Sequence, residues 1–233
     1  MFLSLEGGTT REWSAKVGGT WFAFVVALAL ALPQPPYVGY LASGAVVGAL
    51  LIVVGFAAAS RSRSVAARLP RERRTLVVLS AAAGVSVGLI LLTVVVLFAR
   101  EEPALRARFA GRLNEPAWRP LALGFESSIL EEVTFRLFAM SVVAWVAHRF
   151  VARRAALVIA LGASALLFGA AHLPAWLAAT HGSAALVVPV LTLNGVAGLL
   201  FGCVFWRWGL PYAIVCHLFA DIVVQGLGPK LLG

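Results

Sequence analysis

Charge is scarce in this chain. Only 12% of its 233 residues are charged, 61% are hydrophobic, and the mean hydropathy is +0.93. A soluble domain carries about 25% charged and about 45–50% apolar residues. The shortage excludes an ordinary water-soluble domain and indicates an integral membrane protein of one compact bundle. Acid is scarcer than base: ten Asp and Glu stand against 19 Lys and Arg, a net charge of +9. Lysine is almost missing too, with Lys16 and Lys230 alone, so the positive charge is nearly all arginine. In a soluble protein that balance would suggest a nucleic-acid partner. Here the bases lie between apolar runs, where they face anionic lipid and follow the positive-inside bias. No nucleic acid is therefore expected. There are two cysteines, Cys203 and Cys216, both inside apolar segments, which excludes a disulfide framework. Internal repeats and low-complexity tracts are lacking. The first apolar run is followed by no small-residue cleavage site, so it reads as a retained helix and not a signal peptide.

What is present is a series of long apolar runs. A membrane-spanning helix needs about 20 apolar residues, and about seven segments qualify: Val17–Leu32, Tyr37–Ser60, Thr75–Ala99, Leu121–Ala147, Ala155–Thr180, Ser183–Trp206 and Leu210–Leu227. The first stops at Pro33-Gln-Pro-Pro36, which cannot continue a helix. The expected fold class is all-α, a polytopic membrane helical bundle. An eighth, re-entrant segment within 100–120 is the alternative. Residues 1–115 read as N-terminal transmembrane helices with basic loops, and 116–233 as the functional core of the same bundle. Placing the arginine-rich loop Arg61–Arg74 in the cytoplasm puts twelve basic residues on that side and six on the other. The positive-inside bias then gives a cytoplasmic N-terminus, in a bacterial-type inner membrane.

The fourth segment breaks the apolar rule. It carries Glu131, Glu132 and Arg136 near its middle. Each such charge costs roughly 2.5–3.5 kcal/mol at the bilayer centre on insertion scales, and such groups face the protein interior. Glu132 and Arg136 are four apart and stack on one helix face, where they can pair. Glu131 lies about 100° around the helix and is free of that pairing, so it can point into a cavity. A packing role alone does not account for this spare carboxylate.

Two further segments add titratable groups. Phe168-Gly-Ala-Ala-His172 places Phe168 one turn before His172, where its ring can orient the imidazole. His217-Leu-Phe-Ala-Asp221 puts a histidine and an aspartate on one helix face. Asn194, in Leu193-Asn-Gly195, is either an interhelical hydrogen bond or a fourth contributor. At ~1.5 Å per residue, Glu131 lies ~15 Å from Leu121, His172 ~12 Å from Thr180 and His217 ~15 Å from Leu227. On the assigned topology these ends share one side, so the groups meet at similar depth. Amide hydrolysis needs an activated water and a donor for the developing oxyanion. A carboxylate in an apolar site can act as general base near neutral pH, with one histidine sharing the proton and another facing the oxyanion. Two histidines and a carboxylate are equally a zinc set with an open position for water. Spacing does not separate the two.

Glu131-Glu-Val-Thr-Phe-Arg136 matches E-E-x-x-x-R, Phe168 to His172 matches F-x-x-x-H, and His217 to Asp221 matches H-x-x-x-N/D. In that order, on successive membrane helices, they resemble the motifs of the CPBP family of intramembrane endopeptidases, also called the CAAX protease and bacteriocin-processing, or Abi, family. The resemblance covers roughly residues 120–225. It implies a glutamate-dependent protease acting on a membrane-associated protein or peptide. Glu131 and His172 would activate water, His217 and Asp221 would stand on the oxyanion side, and Glu132 and Arg136 would hold the site's shape. No cofactor is expected, with zinc on Glu131, His172, His217 and Asp221 as the alternative. Two positions depart from the family pattern. Leu137 stands where glycine is common, and Asp221 where asparagine is common. An aspartate donates only when protonated, so Asp221 orients His217 or binds a cation instead. The competing class is a transporter or immunity-type binding protein that uses the same cluster. H-E-x-x-H, G-x-S-G and G-x-G-D, the signatures of other intramembrane proteases, are missing.

Overall fold

The computed structural model describes residues 36–62, 73–116, 118–179, 182 and 184–232. The expected first span, Val17–Leu32, and residues 63–72 of the arginine-rich loop lie outside the described residues. Among the described residues there is helix and turn and no strand. In chain order the α-helices are α1 (Pro36–Ser62), α2 (Arg73–Phe98), α3 (Pro103–Ala110), α4 (Trp118–Glu131), α5 (Ser141–Ala147), α6 (Arg153–Ala179), α7 (Val187–Trp208) and α8 (Leu210–Leu232). A π-helical segment, Glu132–Met140, joins α4 to α5. Four stretches are long and apolar enough to cross a membrane: Arg74–Phe98, Arg153–Ala178, Ala184–Trp208 and Leu210–Leu232. Side chains such as Val78, Val158, Leu166 and Val188 are two-thirds or more exposed. Apolar groups turned outward suit lipid and not water. The protein is an all-α polytopic membrane bundle.

Small residues set the helix contacts. Ser80, Gly84 and Gly88 recur at four-residue spacing on α2, and α8 lies against them. A Cβ on Gly84 would overlap the Cys216 carbonyl, and one on Gly88 would stand 2.7 Å from the Ala220 carbonyl. In lipid no hydrophobic force drives helices together, so such close approach is how packing is gained. α6 lies along α7 in the same manner, with Gly169 against the Leu191 carbonyl. Between these pairs is a core of Val87, Phe168, Ala197, Phe201, Cys216 and Ala220.

The structure differs from the sequence expectation in three places. The fourth apolar run is one continuous helix, but not a regular one, because it widens to π geometry over Glu132–Met140. The side chains around it take up the carbonyls that this widening loosens. Ser164 Oγ donates to the Phe135 carbonyl at 2.7 Å, and Ser141 Oγ to that of Arg136 at 3.4 Å. The 100–120 connection holds neither a plain loop nor a re-entrant span. Its eight-residue α3 is long enough for only ~12 Å and is anchored by buried Leu105 and Phe109. The last helix runs on to Leu232 past Gly228 and Pro229. Gly228 has no Cβ because the Phe109 ring occupies that space.

Candidate active site

The π segment packs against α6, α7 and α8 and brings its charges to the centre of the bundle. Arg136 and Glu132 are fully buried, with Arg136 Nε 3.3 Å from Glu132 Oε2. The contact is one of charge and not an aligned hydrogen bond, since neither atom has a hydrogen-bond partner. Arg136 is held in addition by the Gly198 carbonyl, 3.4 Å from Nη2, and by the Phe168 ring, whose centroid lies 4.4 Å from Cζ. The predicted four-residue pair thus forms. Glu132 also does something the spacing did not foretell: its other oxygen, Oε1, accepts from His217 Nδ1 at 2.9 Å. One carboxylate joins the arginine of its own helix to the histidine of α8.

Both histidines are fixed through Nδ1. His172 Nδ1 donates to the Phe168 carbonyl at 2.8 Å, and its ring packs 4.6 Å from the Phe168 ring. In each neutral ring the bond at Nδ1 assigns the proton there and leaves Nε2 as the free nitrogen. The two Nε2 atoms converge on one atom, Glu131 Oε2, each at 3.7 Å. That distance exceeds a direct hydrogen bond and suits a small molecule shared among all three groups. Glu131 Oε2 is itself buried and has no hydrogen-bond partner. Asp221 Oδ2 lies 3.9 Å from His217 Nε2 and accepts a 2.7 Å hydrogen bond from Ser127 Oγ of α4. Asn194 Nδ2 donates to the Val190 carbonyl of its own helix at 2.8 Å, and the residue lines the same cavity. Among the described residues, no group of three or more His, Cys, Asp or Glu side chains is arranged to hold a metal ion.

The structure therefore brings Glu131, His172, His217 and Asp221 together on the wall of one cavity of about 380 Å³. Phe168 stands behind both imidazoles, and Glu132 and Arg136 behind His217. Four residues escape the motif reading. Ser127 holds Asp221. Phe201 stacks on His217, with ring centroids 4.5 Å apart and planes at 17°. Arg108 and Arg112, from α3 and the turn after it, line the cavity away from the cluster. An i, i+4 pattern on a single helix finds partners of that helix. None of these placements is of that kind.

Fold and site together define a helical membrane protein with an enclosed acid–imidazole cluster, the class to which intramembrane hydrolases belong. Residues 113–223 match the model of the family described as type II CAAX prenyl endopeptidase Rce1-like. That family is one of proteases, and the match agrees with the CPBP resemblance of the three motifs. Neither a curated protein nor a solved structure matches the chain.

Proposed function

We propose that this protein is an intramembrane endopeptidase that hydrolyses a peptide bond of a membrane-associated protein or peptide, using water activated by Glu131 and His172. The observation that carries the reading is the convergence of His172 Nε2 and His217 Nε2 on Glu131 Oε2, each at 3.7 Å. Residues 116–233 form the catalytic core, and the preceding helices support it. The membrane is a bacterial-type plasma membrane with the N-terminus on the cytoplasmic side. The family's name makes a prenylated protein the first substrate class to try.

In the proposed reaction a water lies between Glu131 and His172. Glu131 takes one of its protons, the oxygen bonds to the scissile carbonyl carbon, and the carbonyl electron pair moves onto its oxygen. His217, protonated at both nitrogens, donates Nδ1–H to Glu132 and Nε2–H to the oxyanion. The proton held by Glu131 then passes to the amide nitrogen as the C–N bond breaks, and acid and amine leave. The proposal assigns Asp221 the role of acceptor, taking a hydrogen bond from Ser127 Oγ. In this chain it therefore supports protonated His217 and does not donate to the oxyanion. The hydrolysis is proposed to need no metal.

The test is Glu131→Gln in the full chain reconstituted in lipid nanodiscs, assayed on peptides found by comparing membrane proteomes with and without the active protein. The amide keeps the shape but cannot take the proton, so hydrolysis should fall by roughly 10²-fold or more with thermal unfolding unchanged. Full activity in Glu131→Gln would sink the protease reading and leave binding or transport.

A further inference from the structure

The cavity that holds the acid–imidazole cluster has a second chemical character. Arg108 and Arg112 line the same space as Glu131, His172, His217 and Asp221. We propose that these two arginines form an anion subsite that takes a carboxylate of the substrate peptide, either at its C-terminus or on a side chain. The proposal rests on the peptidase reading for the identity of the ligand.

Four observations support it. First, the subsite is short of negative charge. Arg108 has only neutral partners among the described residues, the Ala175 carbonyl 3.5 Å from Nη1 and the Trp176 ring 4.9 Å from Cζ. Glu115, the acid paired with Arg112, already serves two cations, Arg112 at 3.2 Å and Arg119 at 3.3 Å. Second, burial and the like charge of Arg112 both push the Arg108 guanidinium below its usual value. Two cations on the wall of one cavity, sharing between them a single carboxylate that also serves Arg119, gain from receiving an anion. Third, the neighbouring wall is apolar, with Val95, Phe98 and Leu186, so a charge-assisted bond there is little screened by water. Fourth, the subsite has a defined separation from the cluster. Arg112 Nη2 donates to Gln225 Oε1 at 3.3 Å. On α8, Gln225 follows Asp221 by one turn and His217 by two, ~6 and ~12 Å along the axis. An extended peptide covers ~12 Å in about four residues. The carboxylates at the cluster end repel an anion and the arginines attract it, so the cavity imposes a direction on the bound chain.

The experiment uses the full chain with Glu131→Gln, immobilised in nanodiscs of zwitterionic lipid, so that bound peptide is not consumed. The probe is an N-hexadecanoyl heptapeptide pool randomised over uncharged residues. It is made as the free acid, as the C-terminal amide, and as the amide with one Glu four positions from the end. The free acid, the Glu-bearing amide or both should be captured at least about tenfold over the neutral amide, the worth of a charge-assisted hydrogen bond. Preference for the free acid alone marks a terminal carboxylate, and for the Glu pool alone a side chain. Arg108→Gln should bring the ratio close to one, Arg108→Lys should leave it in between, and Arg100→Gln, an exposed arginine outside the cavity, should not move it. Arg112→Gln should act as Arg108→Gln does. Among the described residues Arg108 makes no ion pair, so its variant keeps the test readable if loss of the Arg112 contacts harms folding. Equal capture of the three pools, or a preference that survives both arginine variants, overturns the subsite. So does an Arg108→Gln effect confined to co-purified anionic phospholipid, which would assign the arginines to a lipid headgroup. The capture ratio needs no turnover. A wild-type chain that cleaves nothing but keeps the ratio defeats the peptidase reading and not the subsite.

Discussion

Glu132 uses its two oxygens for two different partners, Arg136 and His217. That division separates the expected effects of changing each residue. Arg136→Ala strands a buried carboxylate, a loss of roughly 3–5 kcal/mol, and should lower both the yield of folded protein and its unfolding temperature in detergent. An Arg136→Ala protein of unchanged thermal stability would contradict the pairing. Glu132→Gln keeps an oxygen for His217 Nδ1 but loses the charge facing Arg136. It should show partial loss of hydrolysis together with lower stability, whereas Glu131→Gln should lose hydrolysis alone. At this scale the sequence was informative about kinds of residue. A carboxylate, an imidazole or an arginine inside an apolar run announces itself by its cost, and the four-residue spacing of Glu132 and Arg136 is a local fact of the helix. The bond from Glu132 to His217 joins positions 85 apart, and that from Ser127 to Asp221 positions 94 apart. Such contacts depend on how α4 and the π segment lie against α8, which no spacing on one helix encodes.

Helices, not loops, carry every group of the cluster, so the way they pack decides whether it forms. Gly84→Ala drives a methyl group into the Cys216 carbonyl, one residue from His217, and should separate α2 from α8. Overpacking typically costs about 1–3 kcal/mol, and the unfolding temperature of Gly84→Ala should fall accordingly. Gly162→Ala is the matched control, because nothing lies within 4 Å of the new Cβ. It removes a helix-interior glycine and should be neutral or stabilising by up to about 1 kcal/mol. Ser164→Ala tests the π segment. It leaves the Phe135 carbonyl without its 2.7 Å donor, and a buried unsatisfied group costs about 1–3 kcal/mol. Activity should fall with stability, since Glu132 opens the segment whose geometry is disturbed. Four helices, α2, α6, α7 and α8, were legible as apolar runs of spanning length. Their ends were less so: the last run was bounded at Leu227, and yet Gly228 and Pro229 continue α8 against Phe109. The π widening was not legible at all. It is set by hydroxyls reaching in from α6 and α5, and hydrophobic periodicity does not distinguish it from a regular turn.

On the scale of the whole molecule, the competing chemistry is a metal-bound water. Purified protein should keep full hydrolytic activity after prolonged chelation and carry no stoichiometric zinc by elemental analysis. Activity lost with the chelator and restored by zinc would make Glu131 the partner of a metal-bound water. The composition placed the chain in a membrane, where the backbone is satisfied only in helices or closed barrels, and apolar runs of about 20 residues selected helices.

The bond between Glu132 and His217 also sets a clock for biogenesis. When the helix bearing Glu131, Glu132 and Arg136 leaves the ribosome, only one acid of this adjacent pair finds a counter-charge, the arginine four residues on. The imidazole that completes the set is 85 residues away. At a synthesis rate of about 5–20 residues per second, that helix waits on the order of 4–17 s with an excess carboxylate. During that interval it has to remain in the insertion machinery or at the water interface. Nascent chains arrested after Trp208 should therefore still be extractable or crosslinked to the translocon. Chains arrested beyond Leu232 with a tether long enough to clear the exit tunnel should have moved into lipid.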